Sequence, residues 1–473
     1  MSTFGALSTA YSGLVAAQQA LDVAGQNVAN AGTDGYTRQR VDQAALGPAG
    51  PAGLSSAAGP RVGEGVAVQR IERLGNALLD ASVRSTTAAA GYAAQRSAAY
   101  QGIESALQEP GSSGVSAQLH SFWAAWHDVA NQPGEPAPAS VLIDSGKQLA
   151  ARLSGGYATL AGQWSATRAD AATMVTTVND AARQIAALNV RIRSALAAGG
   201  TANELVDARS RLTETVASLA GGTVREQADG TVTVLVGGNA LVDGDAARAI
   251  GLAGAATMGT SPGPSLVWAD RPSVPASLDG GSLAGALSVL APADGHGTGG
   301  PIAEAAAGYN ALATSLAAAV NAVHTSGRTT GGATGLAFFA LDPSLPPAEG
   351  LSVVPADASG VAAAAAGAGA YDGTTADAIA QLGASNGSPD SGWATFVTAL
   401  GSSSKAAQQG EALSSTAAST AKTAQASSAS VSLDEENLGL VAGQHAYQAA
   451  ARVMSAIDQA LDTLINHTGT VGL

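Results

Sequence analysis

Residues 4–28, FGALSTAYSGLVAAQQALDVAGQNV, place Leu7, Leu14, Leu21 and Val28 seven apart, with Phe4, Tyr11, Gln18 and Gly25 three residues ahead of them. A seven-residue apolar repeat keeps one helix face turned towards a partner helix, the a/d pattern of a coiled coil. Ala10, Ala17 and Ala24 flank the stripe. Ser2 stands where an N-cap belongs and Gly32 where a left-handed residue would end the helix, with Thr33-Asp34-Gly35 as the turn beyond.

Residues 433–461, LDEENLGLVAGQHAYQAAARVMSAIDQAL, repeat the pattern. Leu433, Leu440, Tyr447, Met454 and Leu461 are seven apart, with Ala450, Ile457 and Leu464 as the companion row. Ser432 and Glu435 fit a capping box, in which hydroxyl and carboxylate satisfy each other's free amides. Asp434, Glu435 and Glu436 suit the positive end of the helix dipole. Stripes this regular at the two ends, and nowhere between, predict that the termini pack together.

Between them the apolar spacing predicts helices over 74–107, ended at Glu109-Pro110-Gly111, and over 115–131, carrying Phe122, Trp123 and Trp126. Others are expected over 168–198, 204–219, 302–323 and 406–428, the last a Pro-free Ser/Thr/Ala tract. Thr223-Val224-Arg225 and 231–236 flank Ala228-Asp229-Gly230 as a hairpin, with Ala240-Leu241-Val242 as a third strand. Residues 261–300 and 325–390 read as loose, Gly- and Pro-rich stretches. The expected fold is mainly α: a long helical bundle with terminal coiled-coil helices and a small β-rich excursion. Its expected division is a terminal coiled-coil assembly domain (1–42 with 430–473), a helical rod (43–220 with 301–429) and a β-rich and loop region (221–300). An outer domain around 325–390 is expected to be short or missing.

Composition excludes several functions. Net charge is −14, from 36 acidic against 22 basic residues without a basic cluster, which argues against nucleic acid and anionic membrane as partners. Absent cysteine removes disulfides, thiolate metal sites and a cysteine nucleophile. Residues 1–14 lack the basic region and apolar run of a cleaved secretory signal. The most apolar window, 302–323, still carries Glu304, Asn310, Ser315 and Asn321, so no membrane span is expected. Gly259-Thr260-Ser261-Pro262-Gly263 matches a hydrolase pattern, but Pro262 has no N–H for an oxyanion. His120 and His127 share a helix face without the carboxylate or spacing of a zinc site. No catalytic, cofactor or metal-binding residues are assigned.

The run 12–21, SGLVAAQQAL, followed by 27–39, NVANAGTDGYTRQ, resembles the amino-terminal motif of the flagellar rod, hook and hook-associated axial proteins. The Gly35-Tyr36-Thr37-Arg38-Gln39 form is similar to the hook-associated members; hook and rod proteins more often place lysine after the tyrosine. Residues 431–436, 444–453 and 461–466 are similar to the family's carboxyl end. Inner segments 122–133 (FWAAWHDVANQP) and 203–209 (NELVDAR) also resemble family sequences. Gly439 and Gly443 depart from it, standing where larger residues are usual, and a mid-helix glycine costs about 0.5–1 kcal/mol relative to alanine.

The resemblance implies a structural subunit of the hook–filament junction, with no enzymatic activity and no cofactor. It implies extracellular placement after flagellar type III export without a cleaved signal. The implied partners are further copies in a ring or tube, the hook protein, a second junction protein (hook-associated protein 3) and an export chaperone on the C-terminal helix. Absent cysteine and few aromatics (4 %) fit passage through a narrow channel unfolded. Spacing and resemblance together assign the assembly interface to Leu7, Leu14, Leu21, Asn27, Val28, Asn30, Gly35 and Tyr36. From the other end they assign Leu433, Leu440, Tyr447, Met454, Ile457, Leu461 and Leu464. A hook or distal-rod subunit would share the terminal motifs but lack the long helical segment 164–219. A secreted flagellum-associated hydrolase would need a carboxylate pair in a cleft.

Overall fold

The computed structural model describes residues 3–47, 63–260 and 262–467. Ser2, Ser261 and the extension past His467 lie outside them. The chain opens with helix α1 (Thr3–Asn30) and an antiparallel ribbon, β1 (Gln39–Leu46) with β2 (Gly65–Arg73). Helices α2 (Ala77–Leu107), α3 (Val115–Asn131), α4 (Pro136–Ala197) and α5 (Asn203–Ala220) follow. Two antiparallel sheets come next. One orders β3 (Thr223–Glu226), β4 (Val232–Val236), β5 (Asn239–Asp243) and β6 (Ala246–Ala247). The other orders β7 (Ile250–Ala253), β8 (Ser265–Trp268) and β9 (Arg271–Pro275). The helices that follow are α6 (Gly281–Leu290), α7 (Pro301–His324), α8 (Pro347–Gly350), α9 (Thr374–Ala380), α10 (Pro389–Ala429) and α11 (Leu433–Asp462). Two short antiparallel pairs lie between α7 and α9, β10 (Gly327–Arg328) with β13 (Ala364–Ala365) and β11 (Phe339–Leu341) with β12 (Leu351–Val353). The fold is mainly helical, as the spacing predicts.

The spine is α4. Its 62 residues span about 93 Å at 1.5 Å per residue, and it contacts α3, α5, α6 and α7. The sequence reading started this helix at 168; it starts at Pro136, whose fixed φ suits the first turn. Glycines hide that first half by diluting its apolar period, and they are there for contact. A methyl group added at Gly156 would fall 2.5 Å from the Tyr309 ring. The same underestimate affects α10, which begins at Pro389 behind Ser388, whose hydroxyl accepts from Ser391 N–H at 3.1 Å. Two stretches expected to be loose are ordered. The 261–300 segment holds β8, β9 and α6, with Gly285 against the backbone of Tyr92 on α2. The 325–390 segment forms a cap on α3 and α7, burying Phe338, Phe339, Val361 and Ile379.

Both sheets hang on α4 through asparagines. The Asn179 carboxamide donates to Ile250 O at 2.9 Å and accepts from Ile250 N–H at 2.9 Å. Three turns on, buried Asn189 does the same with Val232, donating at 2.9 Å and accepting at 3.1 Å. On α7, Asn321 donates to Phe339 O at 2.8 Å and accepts from Phe339 N–H at 2.9 Å. Each carboxamide stands in for a peptide group, offering a strand residue the donor and acceptor that a helix backbone cannot.

His324 closes α7 in an aromatic box, with Trp126 and Phe338 edge-on at 5.9 and 5.5 Å. It is fully buried; Nδ1 bonds Leu336 O at 2.7 Å and Nε2 accepts from Ala362 N–H at 2.9 Å. That pattern requires the neutral ring, and burial holds its pKa below the ordinary imidazole value. The unfolded chain therefore binds a proton that the folded one refuses, so stability falls as pH drops below about 6.5. Thermal unfolding of the wild type should show this acid loss. His324→Phe should remove the loss while lowering stability at neutral pH by about 1–3 kcal/mol, through the orphaned Ala362 N–H. Equal pH slopes in the two proteins would refute the assignment.

Candidate assembly interface

The sequence-assigned residues converge where the chain's two ends meet. Asn27, in the last turn of α1, repeats the asparagine arrangement: it donates to Gln39 O at 2.9 Å and accepts from Gln39 N–H at 3.0 Å. This folds the chain back over the 31–38 turn and starts β1. The Tyr36 hydroxyl donates to the same Asn27 oxygen at 2.9 Å, and Asn27 Nδ2 also reaches Glu436 Oε2 at 3.1 Å, across the sequence to α11. Gly35 makes the turn with φ +71°, and a side chain there would strike Arg211, which donates to Asp34 O at 3.0 Å.

The turn is tied to four elements. Arg38 binds Glu435 at 2.6 Å and Glu436 at 2.7 Å on α11, and its N–H donates to Ala429 O at the end of α10. Thr37 N–H donates to Asp207 on α5 at 3.0 Å, and Arg73 at the end of β2 donates to the same carboxylate at 2.5 Å. Gln39 Nε2 donates to Glu204 at 3.0 Å, and its Oε1 accepts from Asn203 at 3.0 Å. Burial pushes the Tyr36 phenol up to about 12, helped by the charges of Glu204, Asp207 and Glu436. Burial works against the Arg38 charge, but the two glutamates outweigh it and raise its pKa.

The α1–α11 contact differs in detail from the predicted stripe. On α1 the buried row is Ala10, Ala17 and Ala24, with Ala16, Val23 and Asn27; Leu7, Leu14, Leu21 and Val28 are half-buried beside it. Alanine lets two helix backbones approach, and the leucines then reach over the partner's flank. Leu21 lies over Gly443, where an added methyl group would sit 3.0 Å from Leu21 Cδ2. The glycine that departs from the family's pattern, at a cost in helix propensity, is the seat of that leucine. At Gly439 nothing lies within 4 Å.

On α11, Leu440, Met454, Ile457 and Leu461 are half-buried, whereas Leu433 and Tyr447 are exposed. Asn30 is half-buried, and the Leu464 side chain lies outside the described residues. Half of the capping box forms: Ser432 Oγ accepts from Glu435 N–H at 3.4 Å, but the Glu435 carboxylate goes to Arg38 instead. Sequence reasoning overlooked Arg38, Gln39, Arg73, Glu204, Asp207 and Glu436 as part of this junction. Asn203 and Asp207, one helical turn apart, were the available signal. His127 meets Asp377 at 3.9 Å on the surface, and no group of three metal-ligating side chains exists among the described residues. No helix among them is long and apolar enough to cross a membrane.

The described residues form a helical shaft whose two terminal helices, α1 and α11, pack against each other. Residues 100–339 match the family described as flagellar hook-associated protein FlgK helical domain. Residues 7–37 match the flagella basal body rod protein family, and 426–467 the flagellar basal body rod FlgEFG protein C-terminal family. Flagellar hook-associated protein 1 of Bacillus subtilis is 31 % identical over 100 % of this chain and 99 % of its own. Its namesake in Salmonella typhimurium is 28 % identical over 71 % of this chain and 59 % of its own. The solved flagellar hook junction protein FlgK of Burkholderia pseudomallei shares the fold, with TM-score 0.61 and 16 % identity over 74 % of this chain and 99 % of that one. The chain belongs to the flagellar hook-associated protein 1 family.

Two substitutions separate packing from propensity. Gly443→Leu should cost about 1–3 kcal/mol in the α1–α11 contact by displacing Leu21. Gly439→Leu should instead be neutral or stabilise by about 0.5–1 kcal/mol. Amide hydrogen exchange over α1 and α11 reads both, and equal effects would refute the seat. Asn27→Ala should likewise speed exchange in both terminal helices while α4 stays protected.

Proposed function

We propose that this chain is the structural subunit joining hook to filament, and that it polymerises through its terminal helices. The family is structural, and the chain is not an enzyme. The observation that carries the reading is apolar surface left over after the termini have paired. Tyr11 is 60 % exposed on α1, and Leu438 is 72 % exposed on α11. Val441 and Val453 are each 50 % exposed on the same helix. A lone coiled coil would cover such side chains or do without them; in a tube, neighbouring copies would cover them. The assigned residues divide accordingly: half-buried Leu7, Leu14, Leu21, Leu440, Met454 and Ile457 hold the pair, and exposed Leu433 and Tyr447 face neighbours.

The partners proposed are further copies of the chain, the hook protein on one side and the second junction protein, hook-associated protein 3, on the other. An export chaperone would take the C-terminal helix before assembly. The proposed location is the hook–filament junction outside the cell, reached by flagellar type III export without a cleaved signal. The terminal matches to rod proteins also fit a hook or rod subunit, but the helical domain over 100–339 favours the junction.

Deleting the gene should leave hooks without filaments and release flagellin into the medium. Bare basal bodies or attached filaments, seen by electron microscopy, would refute the junction. Leu438→Asp with Val441→Asp alters only exposed positions, so the purified chain should keep its melting temperature. Swimming should be lost; wild-type motility would count against polymerisation through α11.

A further inference from the structure

Asn386-Gly387 is the only asparagine–glycine pair in the chain, and it lies in the exposed turn that precedes α10. The other asparagines precede bulkier residues, and several are locked by their carboxamides, as Asn27, Asn179, Asn189 and Asn321 are. Asn386 makes no such bond among the described residues. Within the turn, Ser388 N–H donates to Ser385 O at 3.1 Å, and the intervening Gly387 N–H has no acceptor among the described residues. Gly387 has φ +76°, and apart from its two chain neighbours no described residue comes within 4 Å of where a side chain would start. The nucleophile and the electrophile of an intramolecular reaction are therefore adjacent, unbonded and unshielded.

We infer that Asn386 is a site of spontaneous deamidation in the folded protein. The Gly387 nitrogen attacks the Asn386 side-chain carbonyl carbon and gives up its proton to solvent. The carbon–NH2 bond breaks, and ammonia leaves with a proton returned by solvent, closing a five-membered succinimide. Water then opens the ring at either carbonyl, giving aspartate or isoaspartate with no change in oxidation state. The isoaspartate product adds a methylene to the main chain two residues before Ser388, the cap of α10. Two residues beyond that cap, Asp390 accepts from Trp123 Nε1 at 2.9 Å, so the modified turn lies beside an inter-helix contact.

What the structure adds to the dipeptide rule is that folding gives no protection. The full-length chain is incubated folded and in urea in the same mildly alkaline buffer, and peptides are mapped by mass spectrometry with isoaspartate detected by an isoaspartyl methyltransferase. Asn386 should convert faster than any other asparagine by about tenfold or more, and its folded and unfolded rates should agree to within about threefold. Asn386→Gln should abolish methyl acceptance in that peptide. Folded-state protection beyond about tenfold, or conversion of Asn386 no faster than that of the other asparagines, would overturn the inference.

Discussion

An α-helix has no backbone hydrogen bonds to offer a neighbouring strand, because its amides and carbonyls are committed along its own axis. This protein must nevertheless attach short strands and turns to long, alanine-rich helices that give little apolar surface to hold them. It does so with the carboxamide of asparagine. Asn27, Asn179, Asn189 and Asn321 each grip the N–H and C=O of one residue, at Gln39, Ile250, Val232 and Phe339. Each bond adds only about 0.5–1.5 kcal/mol net, but a buried carboxamide left without its partners costs more, so the grip fixes register more than it adds stability. Remove these four contacts and the sheets, the cap and the terminal turn lose their places on the shaft.

Packing follows from the same poverty of large side chains. With aromatics at 4 % of the sequence, the core rests on bulk at only a few places, among them buried Trp164, Trp268 and the Tyr309–Trp393 pair. The largest cluster joins Phe122, Trp126, Phe338 and Phe339, with His324 against Trp126 and Phe338. Elsewhere the helices come close enough for glycine and alanine to count. Tyr309 lies on Gly156, Phe396 on Gly308 and Leu21 on Gly443. Large-on-small contacts of this kind are specific, since an added methyl group would crowd its neighbour.

The terminal junction combines both devices and joins them to function. Asp207 takes Thr37 and Arg73, Glu436 takes Asn27 and Arg38, and Asn27 takes Gln39 and Tyr36. Strain applied to the helix pair therefore passes through short, largely buried polar bonds into α5 and α10 and not through a flexible linker. The apolar side chains of Leu438, Val441 and Val453 on α11 stay exposed beside this joint.

The sequence by itself determined the mainly helical class, the pairing of the two ends and the hairpin at 223–236. Local rules suffice for these: a seven-residue repeat can only be satisfied by a second helix, and Asp-Gly between alternating apolar residues turns a strand back. It also carried the family, in motifs at 12–39, 203–209 and 431–453. The first half of α4, the order in 325–390 and the burial of the alanine row on α1 were decided only by tertiary structure. In α4 and α1 the deciding residue is a glycine or an alanine, whose own pattern is silent and whose value is the neighbour it admits; in 325–390 it is the burial of Phe338, Phe339, Val361 and Ile379 against α3 and α7. The polar junction was hidden for a related reason: Asn27, Arg38, Asp207 and Glu436 are adjacent only after the chain has closed on itself, and no spacing records that.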